Sequence, residues 1–209
     1  MKTSISITKV KTTREEALKQ LVNTDTDFIH IDMMDGKFVE TKQLMCNEVI
    51  SLCKGLKKPL DVHMMIQDPI PYIRELEVLD NINNITVHSE IGNIDFYIDC
   101  IHTLGIKAGV AINPDTRVDI LKPYLDTLDI VLIMGVTPGA GGQKLIIDTL
   151  QKVKELVILR DKFGLDFEIE FDGGVNKDTR PYLDGIDTIV SGSYVCAADN
   201  YQERIDEIR

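Results

Sequence analysis

The stretch FIHIDMMDG at positions 28–36 decides the fold of this 209-residue chain. It is a short apolar run with His30 and Asp32 at alternate positions near its end. Residues two apart on a β-strand share a face, so these two side chains point the same way. Two other runs have the same design: PLDVHMM at 59–65 contains His63, and DFEIEFD at 166–172 ends on Asp172. The pattern predicts strands whose polar residues converge.

Eight β-rich runs alternate with longer amphipathic stretches along the chain. The runs are SISITKV (4–10), DFIHID (27–32), PLDVHMM (59–65), NITVHS (84–89), KAGVAIN (107–113), DIVLIMGV (129–136), DFEIEFD (166–172) and TIVSGS (188–193). Between them, apolar spacings of three and four predict helices, for example over 145–159. The capping pattern Thr12-x-x-Glu15 predicts the start of the first helix.

Eight βα units in this length favour a closed parallel (β/α)8 TIM barrel over an open doubly wound sheet. An open sheet would tend to carry a glycine-rich turn after its first strand, and the connection KVKTTREEA contains no glycine. Because no Gly/Ser-rich linker interrupts the series, we predict one catalytic barrel domain over residues 1–209.

Composition narrows the function classes. The chain is 44% hydrophobic and carries a net charge of −11 at pH 7, which argues against nucleic-acid binding because phosphate backbones need clustered Lys and Arg. No apolar run has the length of a membrane span, and residues 1–10 lack the apolar core of a signal peptide. The four cysteines are scattered, so we expect reduced, buried thiols in a cytoplasmic protein.

The polar residues at the strand ends are candidate metal ligands. TIM-barrel enzymes work at the carboxyl ends of their strands, where His30, Asp32, His63 and Asp172 all lie. For either His30 or Asp32 alone, a satisfied polar pair inside the barrel mouth is the simpler interpretation. Together, two imidazoles and two carboxylates favour a divalent metal, and these donors suit Zn, Fe, Mn or Co without choosing among them.

Glycine-rich turns are candidate phosphate sites. The loop at 136–143 follows the sixth run and precedes a helix expected near Lys144, so it is a candidate lid, although such a loop could simply be flexible. Gly173-Gly174 and the Ser-Gly-Ser at 191–193 follow the last two runs, where barrel enzymes frequently bind phosphate.

Several other side chains are expected to face the same end of the barrel. Met34, Met65 and Met134 are either core fillers or an apolar wall around a reacting carbon. Glu170, one layer below the site, either orients a ligand or makes a structural hydrogen bond, and the same alternatives hold for His88. The alternating Ser4, Ser6 and Thr8 offer hydroxyls to a substrate or make the interior polar.

Six segments resemble the ribulose-phosphate 3-epimerase family, over essentially the whole chain. They are HIDMMDGKFV, LDVHMMI, ITVHSE, VTPGAGGQK, IEFDGGVN and VSGSYV, in that order. The resemblance implies a TIM barrel of the ribulose-phosphate-binding type and one divalent metal ion per chain on His30, Asp32, His63 and Asp172. It makes Asp32 and Asp172 the paired acid and base. The implied substrate contacts are Ser6, Met34, His63, Met65, Met134, Gly139, Ala140, Gly141, Gly142, Gly173, Gly174, Gly192 and Ser193.

The chain departs from the family pattern at the mouth of the barrel. The family commonly has His-Phe-Val-Pro-Asn where this chain has KFVET at 37–41. The position usually aromatic between the lid glycines is Ala140, and the proline often found before the first-strand serine is Ile5. None of these changes removes a ligand or an acid–base group.

The resemblance predicts an isomerase of the pentose phosphate pathway. It would convert D-ribulose 5-phosphate to D-xylulose 5-phosphate at C3 by two-aspartate proton transfer through an enediolate. The alternatives are a 3-epimerase of a hexulose phosphate such as D-allulose 6-phosphate, or a non-catalytic sugar-phosphate binding barrel. A Schiff-base lyase is less favoured, because no lysine lies within the apolar strand ends. The expected partners are a phosphorylated ketose and further copies of the chain in a homo-oligomer, with no nucleic acid and no membrane.

Overall fold

A computed structural model describes all 209 residues, and its centre is a closed sheet. The strands are β1 Lys2–Ser6, β2 Phe28–Asp35, β3 Lys42–Gln43, β4 Leu60–Met65, β5 Ile82–His88, β6 Lys107–Ile112, β7 Ile130–Met134, β8 Glu168–Asp172 and β9 Thr188–Ser191. All strands except β3 are parallel, and β1 pairs with both β2 and β9, which closes the ring. The predicted eight-stranded TIM barrel is confirmed. The short β3 pairs antiparallel with the end of β2 and lies outside the ring.

Seven α-helices surround or close the barrel. They are α1 Arg14–Leu21, α2 Cys46–Cys53, α3 Ile70–Glu75, α4 Ile94–Thr103, α5 Leu150–Phe163, α6 Ser193–Cys196 and α7 Tyr201–Ile208. The prediction of a helix after every strand is wrong in two places, because β6 and β8 are followed only by 3₁₀ turns at Val118–Leu121 and Arg180–Tyr182. Pro114, Pro123 and Pro181 lie in these connections and remove backbone donors that a helix needs.

Two predicted helix starts are displaced. The first helix is capped by Thr13 rather than Thr12, and the Thr13 side chain accepts a hydrogen bond from the N–H of Glu16. The second displaced helix is predicted over 145–159, with its start near Lys144. In the structure it begins at Leu150, after a 3₁₀ turn, and continues to Phe163. The preceding segment is held against the barrel instead. The Ile146 N–H donates to the carbonyl of Gly135 at 2.8 Å.

Most of the core is one continuous cluster of 48 buried hydrophobic residues, and Ala111, Leu132 and Met134 form a second, smaller one. Cys46, Cys53 and Cys196 are buried, Cys100 is half-buried, and none forms a disulfide, as expected. Burial raises the pKa of the three buried thiols to about 12, so they are protonated at neutral pH. No helix of the structure is long and apolar enough to span a membrane.

Candidate active site

Four side chains meet at the carboxyl end of the barrel. β2 carries His30 and Asp32, β4 carries His63 directly beside Asp32, and β8 ends on Asp172. One potential ligand atom from each lies within 4.8 Å of the other three. This is the group that the sequence predicts.

The distances within this cluster suit one divalent cation. Asp32 Oδ1 lies 3.2 Å from both His30 Nε2 and His63 Nδ1. Asp172 Oδ2 lies 4.0 Å from His30 Nε2 and 3.8 Å from His63 Nδ1. Four donors held about 2.1 Å from a tetrahedral ion would be about 3.4 Å apart, so small movements would suffice for coordination. Two nitrogen and two oxygen donors are also an ordinary ligand set for such a metal.

Asp61 fixes the orientation of His30 from below. Its Oδ2 lies 2.6 Å from His30 Nδ1 and also accepts from Ser4 Oγ at 2.6 Å, while its Oδ1 accepts from Asn84 Nδ2 at 2.7 Å. Because Nδ1 is occupied by Asp61, His30 presents Nε2 to the cluster. The buried Glu170 carboxyl lies within 4.8 Å of His30 and Asp61, one layer below the site as expected.

His88 and Glu90 orient His63 in the same manner. His63 Nε2 lies 2.8 Å from His88 Nε2, and His88 Nδ1 lies 3.1 Å from Glu90 Oε2. Burial lowers the pKa of His88 to about 4, so this ring is neutral and keeps one proton. If Glu90 accepts that proton from Nδ1, His88 Nε2 is the acceptor for His63 Nε2–H. His63 is then left with Nδ1 facing Asp32 and Asp172.

The two aspartates of the cluster have opposite pKa shifts. Burial alone would raise the pKa of Asp32, but the charge of His30 and a hydrogen bond from His30 outweigh it and lower the pKa well below its usual value. Burial, followed by the charge of Asp32, raises the pKa of Asp172 to about 6. Near neutral pH, the protein therefore holds one carboxylate firmly charged beside one that readily takes a proton.

The histidine between the carboxylates is kept protonated. Burial alone would lower the pKa of His30, but the charges of Asp61 and Asp32 outweigh it and raise the pKa well above its ordinary value. Burial, followed by the charge of Asp61, raises the pKa of Glu170 well above its ordinary value. Both causes favour the protonated form of Glu170 below the cluster.

Two hydroxyls from the end of β1 hold the outer oxygen of Asp32. Ser6 Oγ and Thr8 Oγ1 donate to Asp32 Oδ2 at 2.6 and 2.7 Å. Ser4, the third residue of the alternating series, donates to Asp61 one layer deeper. Of the three alternating hydroxyls, that of Ser4 is structural, and those of Ser6 and Thr8 reach the site.

A cavity of about 460 Å³ opens above the cluster. His30 and His63 are fully buried beneath it and do not line it. The other predicted site residues all line it: Ser6, Asp32, Met34, Met65, Met134, Gly139, Ala140, Gly141, Gly142, Asp172, Gly173, Gly174, Gly192 and Ser193. Thr8 and Lys9 also line the cavity. Lys9 is absent from the predicted site because no periodicity marks it, although it directly follows the Ser4, Ser6 and Thr8 series.

Glycine turns form one wall of this cavity. Gly173 and Gly174 have φ of +110° and +72°, which side chains rarely adopt, and a Cβ on Gly174 would lie 2.7 Å from the backbone of Leu145. The N–H groups of Gly173, Gly174 and Gly192 donate to no protein acceptor. Unpaired backbone donors beside a cavity are suited to bind an anion.

The loop at 136–143 forms another wall and is tied to the connection between β2 and β3. Thr41 Oγ1 donates to the carbonyl of Gly139 at 2.8 Å. Within the loop, Gln143 Nε2 donates to the carbonyls of Thr137 and Ala140 at 2.6 and 2.8 Å. These three hydrogen bonds order the loop, and its role as a lid stays a prediction.

The fold and the cluster together define a TIM barrel with a candidate metal centre at the carboxyl ends of its strands. The model of the ribulose-phosphate 3 epimerase family matches residues 1–196. The chain belongs to this family, and it is therefore an isomerase of the epimerase class. The resemblance seen in the six segments is confirmed.

Relatives agree with this placement, and a solved structure agrees with the fold. Ribulose-phosphate 3-epimerase of Bacillus subtilis is 39% identical over 196 residues, which cover 92% of this chain and 90% of the relative. The proteins of that name from Escherichia coli K12 and Methanocaldococcus jannaschii are 34% and 33% identical, covering 93% of this chain and 88% and 83% of theirs. The structure of 3-keto-L-gulonate-6-phosphate decarboxylase from Vibrio cholerae has a TM-score of 0.69 at 17% identity, covering 100% of this chain and 95% of that one. That likeness shows the fold alone.

Proposed function

We propose that this chain epimerises C3 of D-ribulose 5-phosphate to give D-xylulose 5-phosphate, a reaction of the pentose phosphate pathway, with a divalent metal. The observation that carries the proposal is geometric: Asp32 and Asp172 lie in one cluster with His30 and His63, with ligand atoms within 4.8 Å of one another, and both carboxyl groups line the cavity. The names of the curated relatives favour the pentulose phosphate over a hexulose phosphate. Homo-oligomer formation and a cytoplasmic location stay predictions.

Inversion at C3 needs two proton-transfer groups. A proton next to the C2 carbonyl must leave from one face of the sugar, and a proton must return to the other face. Asp32 on β2 and Asp172 on β8 approach the cavity from different strands. One carboxylate takes the C3 proton while the other, protonated, delivers its proton to the opposite face. The two then have exchanged protonation states, which readies them for the reverse reaction.

His30, Asp32, His63 and Asp172 would hold the metal. A divalent cation bound there would act as a Lewis acid for the negative charge that develops on the substrate oxygens. The side chains below prepare the ligands. Asp61 directs His30 Nε2 to the cluster, and His88 directs His63 Nδ1 to the same point. We leave the metal as Zn, Fe, Mn or Co, because the donors suit all four.

The remaining walls bind the sugar and exclude water. Met34, Met65 and Met134 line the cavity and are each only 2% exposed. An apolar wall there strengthens the electrostatic interactions at the reacting carbon. The unpaired N–H groups of Gly173, Gly174 and Gly192 would bind the phosphate, remote from C3. Binding energy from that end positions the reacting carbon, so a sugar without phosphate should lose rate as well as affinity.

The test is turnover of metal-stripped and metal-reloaded protein on D-ribulose 5-phosphate, with D-allulose 6-phosphate beside it. We expect chelator-sensitive epimerisation of the pentulose phosphate. D32N and D172N should each lower kcat by about 10²–10⁴-fold. D184N, the same change at an exposed aspartate between β8 and β9, is the matched control. Near-wild-type turnover of either cluster variant, in folded and metal-loaded protein, would contradict the mechanism. A preference for the hexulose phosphate would contradict the substrate.

A further inference from the structure

Lys9 places an ammonium group at the edge of the cavity, beside the lid. A Cβ built on Gly141 would lie 3.5 Å from Lys9 Cβ, and one built on Gly142 would lie 3.2 Å from Lys9 Nζ. The same point on Gly142 is 3.6 Å from Ser193 Oγ. The Lys9 side chain thus runs along the lid glycines and ends between Gly142 and Ser193.

This ammonium has no partner in the protein. Ion pairs of lysine side chains involve Lys2, Lys11, Lys107 and Lys122, and Lys9 forms none. Lys11, two residues further on, has its Nζ 2.6 Å from Asp199 and does not line the cavity. Lys9 is therefore a free positive charge aimed at a binding cavity, with a neutralised neighbour for comparison.

The charges that line the cavity indicate what Lys9 could bind. The lining contains the carboxyl groups of Asp32, Asp172 and Asp178 against the ammonium groups of Lys9 and Lys144, and the whole chain carries a net charge of −11. Backbone N–H groups supply only partial charges to a doubly charged phosphate. An acidic protein that binds an anion needs local positive charge at the point of entry. Lysine is suited to this task because it is a compact point charge on a flexible stem.

We propose that the Lys9 ammonium binds the phosphate of the substrate and links it to the lid at Gly142. This assignment rests on the proposed function, which puts the phosphate at Gly173, Gly174 and Gly192. Lys9, from the connection after β1, then adds a full positive charge beside the backbone N–H groups that would bind the phosphate. Because Lys9 contacts the lid and the phosphate together, a bound substrate favours the ordered position of the loop.

The experiment compares K9Q and K9R with K11Q, which removes the same charge two residues away. KM and kcat for D-ribulose 5-phosphate are measured, together with the binding of inorganic phosphate by calorimetry, at low and high salt. K9Q should raise KM and the phosphate Kd by about 5–30-fold at low salt, the range of a hydrogen bond between charged groups near a surface. The effect should shrink at high salt. K9R should remain within about threefold of wild type, and K11Q should be unchanged.

The outcomes separate this proposal from the proposed function. If the wild type epimerises D-ribulose 5-phosphate but K9Q and K11Q have equal KM and equal phosphate Kd, the role of Lys9 is refuted and the reaction stands. If the wild type does not turn over this sugar but K9Q binds inorganic phosphate more weakly than the wild type does, the anion site stands and the proposed reaction is refuted. A loss in kcat alone, with KM and phosphate Kd unchanged, refutes the role in phosphate binding.

Discussion

Replacing Asp61 by asparagine should weaken metal binding by the cluster without unfolding the barrel. The change nearly preserves size at a buried position, but an amide has only one acceptor oxygen. Asp61 uses one oxygen for His30 and Ser4 and the other for the Asn84 amide. In D61N an NH2 group replaces one of the two oxygens. It faces another hydrogen-bond donor, so the hydrogen bonding on that side is lost.

The magnitude follows from two opposed effects on His30. Loss of an outer partner of a ligating histidine typically costs about 10–100-fold in metal affinity, or about 1.4–2.7 kcal/mol. Loss of the Asp61 charge also lowers the raised pKa of His30, so protons compete less well with the metal. The second effect matters at low pH and disappears at high pH. We therefore expect the affinity ratio of wild type to D61N to increase with pH towards about 10–100.

The assay is competition for Zn²⁺ against a fluorescent chelator at about pH 6 and about pH 9, with folding checked by circular dichroism. D80N, the same substitution at an exposed aspartate just before β5, is the control and should match the wild type. Equal Zn²⁺ affinity of D61N and wild type at the higher pH would refute the reasoning, because His30 would then be oriented without Asp61. A ratio that decreases as pH rises would refute the role given to proton competition.

Three further outcomes are expected. Metal binding near neutral pH should release a proton, because the raised pKa of His30 keeps the ring protonated beforehand and coordination needs the free nitrogen. Calorimetry in buffers of different ionisation enthalpy measures the number of protons released, and zero release would contradict the prediction. T41V removes the hydrogen bond to the Gly139 carbonyl and should raise KM about 2–10-fold, whereas T41S should stay close to wild type. Equal KM values for T41V and wild type would show that this hydrogen bond does not hold the lid. G109A places a Cβ 2.2 Å from Thr86 Oγ1 and should cost about 1–3 kcal/mol in urea unfolding, partly recovered by T86A; an unchanged stability would contradict the clash.

The barrel and the cluster of His30, Asp32, His63 and Asp172 are predictable from the sequence because the strands that carry them follow from short-range periodicity. Apolar runs at regular intervals indicate strands, and residues two apart on a run, such as His30 and Asp32, share a face. The same alternation places Asp61 on the face of His63, one layer deeper. The helix boundaries are less predictable. The residues before α5 have apolar helical spacing, but the packing of Leu145 against Gly174 and the hydrogen bond of Ile146 to Gly135 hold this segment out of the helix, with Ile146 extended and a 3₁₀ turn after it.

The phosphate end of the site depends on contacts that no local pattern encodes. Lys9 belongs to a connection that looks solvent-exposed in the sequence, and it reaches the cavity only because the lid folds beside it. Thr41 is likewise remote in sequence from Gly139, to which it is hydrogen-bonded. The pairing of His63 with His88 requires the register of two neighbouring strands. These contacts arise from tertiary structure, so the sequence alone predicts the ligands better than it predicts the groups around them.

The buried cysteines allow local unfolding of the native chain to be measured by alkylation, without an added label. A thiol with a pKa of about 12 is ionised in only about one molecule in 10⁵ at neutral pH, and alkylating reagents attack the thiolate. Cys53 and Cys196 should therefore be modified only when the segment around each one opens. Cys53 ends α2 and Cys196 ends α6, in different parts of the barrel wall. The alkylation rates of these two residues would measure the opening free energies of two separate regions, with and without substrate, in a protein that carries no engineered label.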